Sequence, residues 1–248
     1  MNSTDQELLR RAEDLSRRSV KKWEMTCSGF LTPAESRVLR SAFRPEDHCE
    51  MVFFGGYSGA ERCVAFFLPE GEAQEAVADM IRAVRYQAFF GEPGHRDYLG
   101  ALLASGISRD RLGDILISGT EATVFCLPGV LGHLLTLDRI GKVHVRAEEI
   151  PLRTVEVPER AVRELSFTVM SLRLDAVAAG MFRLSRSSCA ELIRAGLVSL
   201  NYSVCDRVDA PVREGDTLSL RGHGKGVLKE VGGQSRKGRL FIKAEVYV

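Results

Sequence analysis

Apolar positions recur at helical spacing over residues 5–24, where Leu8, Leu9, Ala12, Leu15, Val20 and Trp23 define one side. Thr32-Pro33-Ala34-Glu35 is a capping box with proline at the first helical position, so it predicts a second helix to about Phe43. Residues 51–54 and 62–68 read as strands around the turn Gly55-Gly56-Tyr57-Ser58-Gly59, and Pro69-Glu70-Gly71-Glu72 breaks the pattern. Beyond the break, 73–83 is helical in pattern and 84–89 is a strand or a continuation of that helix. A helix over 97–104, strands over 114–117 and 123–127, a helix over 130–137, a strand over 143–145 and an extended piece over 152–157 follow. The order β-α-β-β-α-β predicts a ferredoxin-like sheet, the architecture that RNA-recognition modules share. The central strands carry no aromatic pair that would stack on bases, so RNA reading through that sheet is not expected. Residues 151–166, with Pro151 and Pro158, read as a linker.

The pattern changes again at 171–201. Leu174, Val177, Ala178 and Met181 lie at helical spacing behind Ser171, and Cys189, Ala190, Ile193 and Leu197 do so behind Ser185. Gly196 is placed as a helix stop, and Val198 and Leu200 then alternate as a strand. The last stretch, 240–248, alternates apolar and polar residues throughout and predicts a half-buried strand. Between these strands, 221–226 and 232–239 mix glycine with Arg221, Lys225, Arg236 and Lys237, which predicts mobile basic loops that either follow a phosphate backbone or are solvated turns.

Charge sharpens this picture. The net charge is +1, but residues 165–248 carry +5 and residues 1–164 carry −4, a basic end on a slightly acidic body. Arg173 falls in the first turn of one helix, Arg186 and Ser187 in the first turn of the next, with Ser185 as its cap and Arg194 two turns on. Helix amides, dipole and guanidinium groups of that kind make a phosphate site, although a solvated helix surface has the same composition. His95 and Arg96 at a helix start are a further phosphate candidate, with helix capping by Asp97 or His95 the competing account. Arg17, Arg18, Lys21 and Lys22 fit a solvated helix face better than a contact, and the glycine-rich turn at 55–59 lacks the Lys-Ser/Thr of a nucleotide loop. The six cysteines form no CxxC pair and read as reduced residues of a cytoplasmic protein. No apolar run reaches membrane-spanning length, and no metal or cofactor site is expected.

Arg173-Leu174-Asp175, Leu184-Ser185-Arg186-Ser187, Ile193-Arg194-Ala195-Gly196-Leu197-Val198 and Glu214-Gly215-Asp216-Thr217-Leu218 stand in the order and spacing of the S4-type RNA-binding domain, which this region resembles. In that family a two-helix face lies on the backbone of structured RNA. The family usually has Asn-Gly after the first strand; here it is Asn201-Tyr202. A tyrosine resists positive φ by ~1–2 kcal/mol, so a different or wider turn is expected, and Asn201 is kept as a contact residue without an assigned role.

Upstream, Leu31-Thr32-Pro33-Ala34-Glu35, Phe54-Gly55-Gly56-Tyr57 with Ala60-Glu61-Arg62, His95-Arg96-Asp97-Tyr98-Leu99-Gly100-Ala101-Leu102 with Gly106-Ile107, and Arg111-Leu112-Gly113-Asp114-Ile115 precede that module. The whole chain resembles the YlmH family of bacterial S4-domain proteins. The resemblance implies an α+β multidomain protein: an N-terminal α+β domain at 1–72, a central ferredoxin-like RNA-binding domain at 73–156 and an S4-type (αL) RNA-binding domain at 166–248. It also implies a non-catalytic factor of ribosome-associated quality control. Such a factor binds rRNA of the large subunit and tRNA or peptidyl-tRNA, and supports alanine tailing by a partner factor. The chain itself is expected to be monomeric, with no membrane contact. Competing functions are an RNA-modifying enzyme or its accessory subunit, and a cell-division scaffold. The chain has no synthetase signature pair and no Rossmann glycine fingerprint, and no synthase domain follows the S4-type module.

Overall fold

The computed structural model describes residues 3–72, 74–158 and 162–247, and the chain divides into two compact units, Met1–Pro158 and Glu159–Val248. Ala73, where a helix was expected to begin, residues 159–161 of the expected linker, and Val248 at the end of the closing strand lie outside the described residues.

Unit 1 is ordered by β3 (Cys63–Pro69), which is apolar along nearly its whole length because both of its faces are covered. It is the middle strand of an antiparallel sheet β1-β3-β2, with β1 (Thr26–Leu31) and β2 (Cys49–Phe54) at the edges. Ala65 and Phe67 pack with Ala12 of α1 (Ser3–Lys22) and with Leu39 and Phe43 of and after α2 (Pro33–Ala42). Val64, Phe66 and Leu68 turn to the other side. The capping box of α2 forms as the sequence predicts, with the Glu35 carboxylate accepting from Thr32 N at 2.7 Å. β1 has no counterpart in the sequence reading, since Cys27, Ser28 and Gly29 interrupt its alternation and a bulge separates Cys27 from Phe30. Trp23 does not join the buried side of α1. It is exposed and left-handed (φ 54°), and the buried positions include Ser16 and Ser19, whose hydroxyls bond Glu46 N and Phe67 O.

The second sheet has the order β5-β6-β4-β8-β7, all antiparallel. Its elements are β4 (Arg82–Ala88), α3 (His95–Ala104), β5 (Leu112–Ser118), β6 (Glu121–Cys126), α4 (Leu131–Leu135), β7 (Arg139–Ile140) and β8 (Val143–Ile150). This is the expected ferredoxin-like arrangement with one short extra edge strand. The segment 74–80 is a 3₁₀ helix rather than an α-helix, 84–88 is strand rather than helix, and β8 runs five residues past the expected 143–145. Residues 152–154 form a 3₁₀ turn inside the piece expected to be extended. Val84, Tyr86 and Ala88 face Tyr98, Leu102 and Leu134 of the two helices. On the opposite face Ala83, Phe125 and Ile150 meet Val64, Phe66 and Leu68 of the first sheet, so the two sheets share a core across the expected boundary at 72/73.

Unit 2 comprises β9 (Val162–Val169), α5 (Leu174–Phe182), α6 (Arg186–Arg194), β10 (Val198–Leu200), β11 (Ser203–Val204), β12 (Thr217–Leu220), β13 (Gly224–Gln234) and β14 (Leu240–Tyr247). They form one antiparallel sheet, β11-β10-β12-β13-β14-β9, with both helices on one face. β9 corrects the expected linker and the expected start at 166: it pairs with β14 along its whole length, from Val162↔Tyr247 to Val169↔Leu240. Gly180 lets α5 approach β9, since a Cβ there would lie 2.2 Å from the Phe167 ring. The expected mobile basic loops are short turns. Lys225, Gly226, Gly232 and Gly233 belong to β13, leaving 221–223 and 235–239 as the connections.

Candidate nucleic-acid interface

The two helices of unit 2 meet at one carboxylate. α5 is capped by Arg173, not by Ser171, and Asp175 follows in its first turn with a side chain only 7% exposed. Arg173 Nε donates to Asp175 Oδ1 at 3.1 Å, and Arg186 Nη2, from the first turn of α6, donates to Oδ2 at 2.5 Å. Burial pushes the Asp175 carboxyl up, but the hydrogen bonds from Arg186 and Arg173 outweigh it and hold the group below its ordinary range. The two arginine side chains stay 42% and 57% exposed, so each presents guanidinium to solvent while anchored from below. Beside them Ser185 caps α6 as expected: its Oγ accepts from Ser188 N at 3.0 Å and lies within 2.9 Å of Ser187 Oγ. Helix N-termini, two held guanidinium groups and exposed hydroxyls thus converge. The bridging role of Asp175 is not legible locally, because it depends on Arg186, eleven positions away, folding back onto it.

The other predicted residues do not all join this point. Arg194 ends α6, about 12 Å along the axis from Arg186 at the standard rise. Gly196 (φ 69°) ends the helix as expected, and just beyond it Leu197 O accepts from Arg221 N at 3.0 Å. Lys225, expected in a mobile loop, lies in β13. Its register with Ser219, between core residues Leu218 and Leu220, sets it on the sheet face away from the helices, beside the rings of Tyr202 (4.8 Å) and Tyr247 (5.4 Å). Arg236 and Lys237 are exposed in the β13–β14 turn, at the far end of β13 from Lys225, roughly 30 Å away. Arg183, which the sequence reading passed over, is exposed in left-handed conformation (φ 56°) in the turn between α5 and α6.

Asn201 and Tyr202 form the tight turn that a tyrosine was expected to prevent. Both are left-handed (φ 52° and 67°), and Leu200 pairs directly with Ser203. Asn201 holds the turn: Nδ2 donates to Asp216 Oδ1 at 2.7 Å and Oδ1 accepts from Thr217 N at 3.0 Å. Its amide is engaged inside the protein, where it holds this turn.

In unit 1, Asp97 caps α3 by accepting from Gly94 N at 2.8 Å, which decides for capping at that helix start. Burial, with Arg109 nearby, pushes the His95 imidazole down against the opposing pull of Asp114 and Glu61. That shift weakens His95 as a cation toward phosphate, and both His95 and Arg96 are exposed. The glycine-rich turn serves the fold. Asp114 accepts from Tyr57 Oη (2.8 Å), Glu61 N (2.7 Å) and Arg62 N (3.2 Å), while buried Arg62 donates to the carbonyls of Leu112, Phe30 and Arg109. Burial lowers the pKa of Arg62, and burial together with Arg62 lowers that of Arg109 to about 10. Arg17 pairs with Glu13 and Glu46, as a solvated helix face would.

Three family profiles match the chain: "YlmH, N-terminal" over residues 4–69, "Putative RNA-binding domain in YlmH" over 74–154, and "S4 domain" over 172–218. A curated relative from Bacillus subtilis, "Ribosome-associated protein quality control protein P2", is 35% identical over 228 residues, spanning 91% of this chain and 88% of the relative. The solved structure titled "Cell division protein ylmH from Streptococcus pneumoniae" superposes with a TM-score of 0.54 at 16% identity, covering 63% of this chain and 97% of that one, a likeness of fold.

Proposed function

The chain belongs to the YlmH family of S4-domain proteins, and on that premise we propose that it is a non-catalytic RNA-binding factor that acts on the ribosome in quality control of stalled translation. The observation that carries the reading is Asp175 holding Arg173 and Arg186 together at the N-termini of α5 and α6. Two guanidinium groups fixed at a helix-start pair fit successive phosphates of an A-form strand and read its shape rather than its bases. Ser185 and Ser187 add hydroxyls to the same contact, and Arg194 at the end of α6 and Arg221 are further contacts away from it. Arg236 and Lys237 would meet RNA only at its periphery. The relative's name supports the ribosome and quality control as the setting. We assign the finer roles to that setting: contact with large-subunit rRNA and with tRNA or peptidyl-tRNA, and support of alanine tailing by a partner factor, in the cytoplasm and as a monomer.

Arg186→Ala tests the clamp. Binding to a structured RNA should weaken nearly uniformly across sequences, and the slope of log affinity against log salt should flatten by about one phosphate. An unchanged slope would refute the clamp. Sedimentation of the tagged chain with ribosomes tests the setting: enrichment on free large subunits carrying peptidyl-tRNA is expected, and even spread over all particles would remove the quality-control role.

A further inference from the structure

The sheet of unit 2 has two edges of different kinds. β11 is two residues long, too short to hold another strand. β9 runs for eight residues without a bulge, a proline or a lysine, the devices that ordinarily blunt an edge. The ladder shows which of its backbone groups are free. Gly215 N donates to Leu228 O at 2.7 Å and Leu228 N to Asp216 O at 2.9 Å, so the next residue back, Val227, points its backbone groups to β14. Its partner Glu245 therefore points to β13, and Ala244 points to β9, where it pairs with Leu165. By alternation Leu165, Phe167 and Val169 bond to β14, while Glu164, Ser166 and Thr168 turn N–H and C=O outward. Arg239 Nη2, which donates to Thr168 O at 2.8 Å from outside the ladder, agrees. The backbone groups of Glu164 and Ser166 have no partner among the described residues. On the helix side of this edge Leu165 and Phe167 are only partly buried, and Arg163 is exposed with no ion pair among the described residues. On the other side Glu164 already lies near Lys243.

We propose that β9 receives an extended segment of a partner protein as a seventh strand, antiparallel to it, with apolar residues beside Leu165 and Phe167 and an acidic residue beside Arg163. A donor and an acceptor on every second residue, about 7 Å apart, match a peptide backbone and not a sugar-phosphate chain. The unpaired arginine selects the acid, and the half-covered Leu165 and Phe167 gain a cover that extends the core of unit 2. A second copy of β9 fits less well. In the antiparallel registers that overlap most of the strand, Arg163 meets Leu165, Phe167 or Val169 of its twin, and both arginines are left without an acid. The inference does not rest on the RNA reading of the two-helix face.

The test uses the full chain and a blocked peptide of the length of β9 that alternates isoleucine with threonine and carries glutamate where it faces Arg163; a second peptide has lysine there. In the free chain the amides of Glu164 and Ser166 should exchange with solvent quickly and those of Leu165 and Phe167 slowly, and the glutamate peptide should protect the first two. Ser166→Pro removes an outward N–H and leaves the ladder with β14 whole, so it should weaken the peptide roughly tenfold with RNA affinity unchanged. Arg163→Glu should weaken the glutamate peptide roughly fivefold and favour the lysine peptide by a similar factor, a test that leaves the backbone untouched. Arg186→Ala should bind the peptide as the wild type does, so failure of the arginine clamp and failure of this edge give different results. No protection by the glutamate peptide, equal binding of both peptides by the wild type, or full binding by Ser166→Pro overturns the proposal. Protection of the same amides by a structured RNA, or by self-association of the chain, overturns it as well, because the edge then serves a different partner.

Discussion

Asp175→Asn separates the two roles that the bridging carboxylate plays. The side chain keeps its shape and loses its charge, so both arginines lose their anchor. Each pair joins a buried carboxylate to a half-exposed arginine and contributes about 1 kcal/mol, below a fully buried pair because solvent screens the arginine side. The lost charge at the helix N-terminus adds ~0.3–1 kcal/mol, and relief from burying a charge offsets part of this, for a net loss of about 2 kcal/mol. In a unit of this size that lowers Tm by roughly 10 °C. The effect on RNA has two opposed parts. Removing one negative charge some 7 Å from a bound phosphate favours binding by about 0.3 kcal/mol after screening. Releasing two arginines that must then be immobilised on binding costs ~1–3 kcal/mol. Preorganisation wins, and affinity should fall about tenfold. The arginines hold the Asp175 carboxyl below its ordinary value, so its contribution is complete above the unfolded value near 4 and is lost as pH falls through the folded one. Thermal melts of wild type and variant should therefore converge below about pH 4. Tighter RNA binding by the variant would mean that Asp175 competes with phosphate rather than positioning its partners, and equal Tm at pH 7 would mean that the bridge adds nothing.

Other perturbations probe the frame around the site. Arg62→Lys removes a planar fork that serves three carbonyls and should destabilise unit 1 by about 3 kcal/mol in denaturant titration; a loss under 1 kcal/mol would show that the carbonyls find other donors. Gly180→Ala places a Cβ 2.2 Å from the Phe167 ring and should cost ~1–3 kcal/mol, with Phe167→Leu in the same chain recovering part of it. Asn201→Ala removes two side-chain hydrogen bonds and the residue type that best tolerates left-handed backbone, so Tm should fall by several degrees. RNA affinity of the folded Asn201→Ala variant should stay within about twofold of wild type, and a larger drop would restore Asn201 as a contact.

What the sequence made legible was local or alternating. The α2 capping box, the Ser185 cap and the Gly196 stop depend on neighbours within four positions, and each formed as the residues require. The ferredoxin-like order was legible because each strand shows its inward face by alternation. What was hidden depended on partners far along the chain. β9 looked like linker because Pro158 precedes it and its polar positions, Glu164, Ser166 and Thr168, mask Leu165, Phe167 and Val169; only β14, more than seventy residues away, makes it a strand. The loop reading of Lys225 failed for the same reason, since glycine and lysine in sequence say nothing of the ladder with Ser219 that fixes them. Tyr202 was judged on its own φ preference, whereas the Asn201 side chain, bonded to Asp216 and Thr217 N, sets the turn, and Lys225 against its ring offsets part of the strain.

The same distinction separates the motifs proposed to bind from those that build. Conspicuous polar residues of unit 1, Tyr57, Arg62 and Asp114, bond to one another or to backbone, and Arg62 is buried beneath that network. A charge with its hydrogen bonds satisfied in the interior has nothing left to offer a ligand, and losing it costs the fold. Arg173 and Arg186 differ in that each gives one nitrogen to Asp175 and keeps the rest of a planar, donor-rich group at the surface. The carboxylate beneath them is held ionised by two cations, which suits an anchor and works against a proton donor near neutral pH. Tethering from below and exposure above is an arrangement suited to an anionic backbone, and it is why we propose the half-exposed arginines of α5 and α6, rather than the buried ones of unit 1, as the RNA contact.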